Sequence, residues 1–161
     1  MRESGGTGPR TPALLPGDRR GVAGIEAALI MMTFITLIFM VIEVGIYFMM
    51  QSSLDIAVLT ASETVRAAMQ ASSAYSPPSA ATLKATIVTN GGAMLTSSTV
   101  VVDVNQLSTL SAGSVAVTDG STNWGSSGGV VIVRAQATMT FQPSTLVLTA
   151  ISTAILRRPT F

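Results

Sequence analysis

The feature that most constrains this chain is a long apolar run near its amino terminus. From Val22 to Met50 the sequence is interrupted by only two formal charges, Glu26 and Glu43. A helix of about 20 apolar residues suffices to cross the roughly 30 Å hydrocarbon core of a bilayer. The run therefore predicts a transmembrane helix that anchors the chain in a membrane near its amino terminus.

The helical pattern continues beyond this apolar run. Apolar residues recur at helical spacing at Leu54, Val58, Ala61, Val65 and Met69. A cleaved secretory signal fits poorly, because it has an apolar region of only about 7–15 residues followed by a cleavage site of small residues. We expect one helix over residues 22–71, roughly 75 Å long at 1.5 Å per residue, whose second half projects from the membrane as a stalk.

The flanking charges and the first residues predict how the helix is oriented. Three basic residues precede the helix: Arg10, Arg19 and Arg20. Just after the helix, two acidic residues, Asp55 and Glu63, outweigh the single Arg66. The positive-inside rule then places the amino terminus in the cytoplasm and the bulk of the chain outside. Residues 1–21 contain many Gly and Pro residues and no periodic apolar face, so we expect an unstructured leader.

Composition argues against most enzyme and nucleic-acid classes. The chain has no Cys and no His, which excludes disulfides, thiolate nucleophiles, His-dependent triads and the commonest zinc sites. Only Lys84 and isolated carboxylates such as Asp103 and Asp119 remain for catalysis, and nothing in the sequence pairs them. The net charge of +1, with scattered basic residues, does not support nucleic-acid binding. We expect no enzyme, no catalytic residue, no cofactor and no metal.

The second half of the chain reads as a small β-rich domain. Pro77 and Pro78 end the long helix, so residues 72–80 form a linker and residues 81–161 a separate domain. A short helix is expected from a Ser79 cap to Gly91-Gly92. Strands follow in STVVVDVNQL, SVAVT, VVIVRAQATMTF and LVLTAISTAIL, with Val131, Val133, Ala135, Ala137, Met139 and Phe141 on one face of the longest. The predicted fold class is α+β, a long transmembrane and stalk helix followed by a small antiparallel sheet.

The polar loop over residues 119–129 has several interpretations. A glycine-rich phosphate cradle and a calcium site using Asp119 and Asn123 are both weakly supported, since no GK[ST] follows the glycines and carboxylates are few. We favour a flexible hairpin loop. Trp124 is expected to be exposed, where it could contact a partner.

A short motif at the start of the helix suggests a family. Gly21 follows the pair Arg19-Arg20, and Glu26 stands five residues after it at the mouth of the apolar helix. This arrangement resembles a type IV prepilin cleavage site, and the segment RRGVAGIEAAL with VIEVGIYF and LDIAVLTASETVRAAMQ resembles the TadE-like minor pilins of tight adherence (Tad) pili. The resemblance covers residues 19–70. It implies a pilin-like fold and cleavage by a prepilin peptidase after Gly21, which leaves Val22 as the new amino terminus.

The helix residues have specific implied or expected roles. A carboxylate in an apolar helix needs a partner, and cleavage would supply one in the cationic amino group of Val22, from the same or a neighbouring subunit. The resemblance favours the amino group of the neighbouring subunit and implies that Glu26 sets the register of that incoming subunit. Gly24 and Ala28 are small residues four apart, a spacing that lets another helix approach closely. Glu43 and Gly45 are further candidate contacts to another pilin. The alternatives are contact with lipid headgroups for the glutamates and no specific role for the small residues.

The function implied by the resemblance is a minor pilin or pseudopilin for assembly of a Tad-type adhesion pilus. Its expected partners are the prepilin peptidase, other pilins through the amino-terminal helix, the inner-membrane assembly platform and membrane lipid. Its expected location is the bacterial inner membrane, single-pass with the carboxyl-terminal domain in the periplasm, and the cell surface after assembly. The alternative is a signal-anchored periplasmic binding or scaffold protein that is never cleaved.

Overall fold

A computed structural model of the chain describes residues 19–72, 74–95, 100–108, 116–140 and 147–160, with side chains from residue 21. The long helix α1 is followed by the short helix α2, a single 3-10 turn and three strands: α1 Arg19–Ala71, α2 Ala80–Gly91, the turn Gly92–Met94, β1 Val100–Gln106, β2 Val130–Thr140 and β3 Val147–Arg157. This is the α+β arrangement expected from the sequence. Of the expected strand in SVAVT, residues 116–118 are not strand and the others lie outside the described residues.

The chain divides between Val41 and Ile42 into two compact units, and α1 contributes to both. In the first unit the helix leaves large apolar side chains uncovered, including Leu29, Phe34 and Met40. Its most apolar 18-residue window has a mean hydropathy of 2.5, and none of that window is buried within the chain. A helix this long and apolar is compatible with a single-pass membrane anchor, because lipid would cover the side chains that the chain itself does not.

The second unit is built on an antiparallel sheet with strand order β1-β2-β3. The register places Val102 opposite Ala135 and Val104 opposite Val133, and Ala135 in turn lies opposite Ser152. All five of these residues are buried. Because side chains alternate between the two faces of a strand, they share one face of the sheet, and this face forms part of the core.

The later part of α1 covers this core through one buried stripe. Leu54, Val58, Ala61, Val65 and Met69 are all at most 6% exposed and belong to the same hydrophobic cluster as the buried face of the sheet. The sequence predicted this stripe from its helical spacing, and the structure confirms it. Burial of each large aliphatic side chain contributes about 1.5–3 kcal/mol, so this stripe is a main source of stability in the second unit.

Helix α2 begins and ends where its capping residues predict. The Ser79 hydroxyl accepts a hydrogen bond from the backbone N–H of Thr82 at 3.2 Å. At the other end Gly92 has φ +63°, a conformation that favours glycine, and its N–H bonds to the Thr89 carbonyl. Leu83 and Ile87 lie on the buried side of α2 and join the core.

Candidate functional site

The expected cleavage junction lies within α1. The helix begins at Arg19, two residues earlier than Gly21, so the bond between Gly21 and Val22 is in helical backbone. Val22 is 59% exposed. A Cβ atom built on Gly21 would meet no atom within 4 Å, so packing within the chain does not require glycine at this position.

Glu26 lies one helical turn after Val22 and is exposed. Residues four apart on a helix are neighbours on one face, so the carboxylate and the backbone nitrogen of Val22 project toward the same side. Among the described residues, no hydrogen bond or ion pair to Glu26 is formed; ion pairs lie elsewhere, at Lys84–Asp119 and Arg134–Asp103. Within the described residues this carboxylate therefore has no partner.

The small residues of α1 face open space. A Cβ atom on Gly24 or on Gly45 would meet nothing within 4 Å, and Ala28 is exposed. A glycine inside a helix costs about 0.8–1.0 kcal/mol relative to alanine. No packing contact within the described chain offsets that cost. Such positions are suited to close approach by another helix in lipid.

Glu43 and Gly45 occupy the start of the second unit. Glu43 is half-buried, in contrast to the exposed Glu26. The two carboxylates that the sequence singled out in α1 therefore have different surroundings.

The expectation that Trp124 is exposed is wrong. Its side chain is only 9% exposed, belongs to the core cluster, and donates a hydrogen bond from Nε1 to the Pro78 carbonyl at 2.9 Å. The loop that carries it is bonded to β1, because Val104 N–H donates to the Ser121 carbonyl at 2.9 Å and Asn123 N–H donates to the Val104 carbonyl at 2.7 Å. Thr122 thus forms an isolated bridge to Val104 at the edge of the sheet. The expectation that the loop is flexible stays a prediction.

Asp119 is held at the start of that loop by two hydrogen bonds. Its Oδ1 accepts from the Val102 backbone N–H at 3.2 Å and its Oδ2 accepts from Lys84 Nζ at 3.2 Å. The Val102 N–H, and after it the neighbouring Lys84 ammonium, lower the pKa of the Asp119 carboxyl below its usual value, although partial desolvation opposes them. Sequence reasoning could not find these partners, since they lie far from Asp119 along the chain.

Asp103 is fully buried and faces Arg134 on the neighbouring strand. The register places the two residues opposite each other, and Arg134 Nε donates to Asp103 Oδ1 at 3.0 Å. Asp103 also accepts hydrogen bonds from Asn105 Nδ2 and the Thr118 N–H. Both isolated carboxylates of the sequence thus make structural contacts. In the described part of the chain, no group of three or more acidic side chains converges as a metal site would require.

One family model matches part of the chain, and the match falls on the long helix α1. Residues 21–63 match the family model described as TadE-like protein, which is about a quarter of the chain and lies entirely within α1. No curated protein and no solved structure matches the sequence significantly. The match begins at the glycine of the expected junction and includes Glu26, Glu43 and Gly45. Over this helix, the chain is similar to the TadE-like family.

Proposed function

We propose that the chain is a minor pilin or pseudopilin subunit for assembly of a Tad-type adhesion pilus. The observation that carries the proposal is the TadE-like match over residues 21–63, which starts at Gly21 and falls on an uncovered apolar helix. Such a helix needs lipid before assembly and needs other apolar surfaces after leaving the membrane. The membrane provides the lipid, and a filament built from neighbouring amino-terminal helices provides the apolar surfaces.

Processing is the first step of the proposed function. A prepilin peptidase removes residues 1–21 on the cytoplasmic face, and Val22 becomes the amino terminus. The new α-amino group is cationic and lies near the Glu26 of the same helix, or of a neighbouring subunit already in the filament. Pairing the two charges offsets the cost of placing a carboxylate in an apolar helix, which reaches about 2.5–3.5 kcal/mol at the centre of the membrane and is smaller at the mouth of the helix, where Glu26 lies.

The remaining parts of the proposal concern partners and location. The subunit is non-enzymatic, spans the inner membrane once with its amino terminus in the cytoplasm, and meets the assembly platform and other pilins through α1. The exposed Gly24 and Ala28 support this role, because small residues let helices approach closely where lipid provides little hydrophobic driving force.

A second candidate function is a signal-anchored periplasmic binding or scaffold protein that keeps its first residues. The continuous helix across Gly21 and Val22 favours this alternative, because cleavage at this bond would divide a helix that the uncleaved chain keeps whole. The two candidates differ in covalent structure, so a measurement of mass separates them.

The deciding experiment is the intact mass and amino-terminal sequence of the protein from membrane and sheared surface fractions of its native cell. We expect a start at Val22 and recovery in the surface fraction. Gly21→Phe should retain the leader, whereas Gly45→Phe, a matched change far from the junction, should be processed normally. A wild-type chain that keeps residues 1–21, or normal processing of Gly21→Phe, would contradict the proposal and favour the uncleaved anchor.

A further inference from the structure

Three arginines of the second unit line one open pocket of about 280 Å³. Arg66 comes from the later part of α1, while Arg157 and Arg158 stand at the end of β3. Residues far apart in sequence are thus brought to one place by packing of the helix on the sheet. Arg66 and Arg157 are exposed, and Arg158 is half-buried.

The charge of this pocket is permanent and is not balanced by its own walls. A guanidinium carries a positive charge and has no hydrogen-bond acceptor, so the three side chains favour a negatively charged ligand. None of the lining side chains is acidic. Glu63 precedes Arg66 by one turn of α1, but the two side chains form no ion pair within the described chain.

The three arginines are not equivalent. The Arg158 guanidinium donates to the Gly125 carbonyl, which fixes its position against the loop before β2. Within the described chain, Arg66 and Arg157 form no such hydrogen bond, so their donors are available to a ligand. Each guanidinium carries five N–H donors in a planar fork that matches the oxygens of phosphate and carboxylate groups.

The remaining walls and the size of the pocket indicate the class of anion. Gln70 and Thr160 add neutral polar groups, and Ile155 and Pro159 form an apolar side. Three positive charges exceed what a single carboxylate would balance, whereas a phosphate group carries up to two negative charges. A volume of about 280 Å³ is several times the roughly 30 Å³ that one water occupies in the liquid, so it has room for a phosphate and a small organic group.

We propose that the pocket formed by Arg66, Arg157 and Arg158 binds a phosphate-bearing ligand, with the phosphate among the guanidinium groups and its organic substituent against Ile155 and Pro159. The phosphate belongs either to a soluble ester or to the headgroup of an anionic phospholipid, since both present the same group. This inference is independent of the proposed pilin function, because the pocket lies outside the TadE-like segment and needs no cleavage at Gly21.

The test is calorimetric titration of the full-length chain in maltoside micelles with glycerol 3-phosphate. Saturable binding at one site is expected. Arg66→Gln and Arg157→Gln should each weaken the affinity about tenfold, as expected for loss of a charge-assisted hydrogen bond, and the double variant should show no saturable binding. Lys84→Gln is the matched control: it removes one positive charge of the same unit outside the pocket and should leave the affinity unchanged.

Further arms identify the source of the phosphate. Tighter binding of monomeric dihexanoylphosphatidylglycerol than of glycerol 3-phosphate supports a lipid headgroup, and the reverse order supports a soluble ester. Absence of saturable binding with both probes would overturn the proposal. Equal affinity for succinate at matched ionic strength, or an equal loss of affinity in Lys84→Gln, would overturn it as well, because either result indicates unspecific attraction to the net charge.

Discussion

At the scale of single residues, the second unit depends on a charge pair inside its sheet. Asp103 and Arg134 are almost fully buried, with side chains 1% and 5% exposed. Burying such a pair is costly, and its attraction offsets the cost only when hydrogen bonds satisfy the remaining donors and acceptors. Asp103 meets that condition through Asn105 and the Thr118 N–H, and the described chain has no buried side-chain polar atom without a partner.

Asp103→Ala is therefore expected to destabilise the second unit by about 3–5 kcal/mol, because it leaves the Arg134 guanidinium buried without this carboxylate. Urea unfolding in maltoside micelles, followed by the fluorescence of the single tryptophan, Trp124, measures the loss. The control is the double variant Asp103→Leu/Arg134→Met, which removes both charges and should be more stable than Asp103→Ala. A loss below about 1 kcal/mol in Asp103→Ala would show that the buried Arg134 does not depend on this carboxylate.

The lowered pKa of Asp119 indicates how the stability of the second unit depends on pH. Its pKa is lowered in the folded chain, first by the Val102 N–H and then by Lys84, so folding favours the ionised carboxylate. This stabilisation is fully present above the unfolded pKa of about 4 and is lost as the pH falls through the lower folded pKa.

In Asp119→Asn, the free energy of unfolding should consequently fall less steeply below about pH 4 than it does in the wild type. Near neutral pH, the dependence of unfolding free energy on pH should be parallel in the two proteins. Thermal unfolding in micelles between about pH 2 and pH 7 checks this, with Asp55→Asn as a control carboxylate on α1. A wild-type acid slope that persists unchanged in Asp119→Asn would show that other carboxylates account for it.

At the scale of elements, α1 meets two different environments along one continuous helix. Before Val41 its apolar side chains are uncovered, whereas from Met50 onward one stripe is buried and the opposite side is exposed. The exposed side still carries Ile56 and Leu59, which are 60% and 52% exposed. Of these two sides of α1, only the buried stripe should therefore stabilise the second unit.

Leu54→Ala and Leu59→Ala test this difference with one chemical change on one helix. Leu54 is fully buried, so its truncation should cost about 2–5 kcal/mol through lost burial and the remaining cavity. Leu59 is half exposed, and its truncation should stay within about 0.5 kcal/mol. Urea unfolding of both variants in micelles gives the comparison, and equal losses would contradict this packing of α1 on the sheet.

Elements defined by local signals could be predicted from the sequence, whereas contacts between distant segments could not. Apolar spacing predicted the buried stripe of α1, and Ser79 with Gly92 predicted the ends of α2. The burial of Trp124 was missed because it depends on the Pro78 carbonyl, and the role of Arg134 was missed because Asp103 lies on another strand. Nothing local to either residue reveals such partners. The phosphate pocket was missed for the same reason, since Arg66 and Arg157 meet only after folding.

At the scale of the whole molecule, the two units suit different tasks. The second has its own core and a pocket, while the first has apolar side chains that the described chain leaves uncovered. Under the proposed function, the first unit forms the assembly contacts and the second is carried on the filament. A change confined to the first unit should then alter assembly without altering the fold of the second.

Glu26→Ala is the variant that separates these tasks. Glu26 is exposed and forms no described contact within the chain, so its loss should leave the unfolding of the second unit unchanged. Cleavage after Gly21 should also continue, whereas recovery in the sheared surface fraction should fall at least about tenfold, because the incoming amino group of Val22 loses a buried charge partner. Glu63→Ala, which removes an exposed carboxylate from the later part of α1, should assemble normally. Normal recovery of Glu26→Ala would show that this charge does not register subunits, and loss of Glu63→Ala from the surface fraction would show that assembly also requires the later part of the helix.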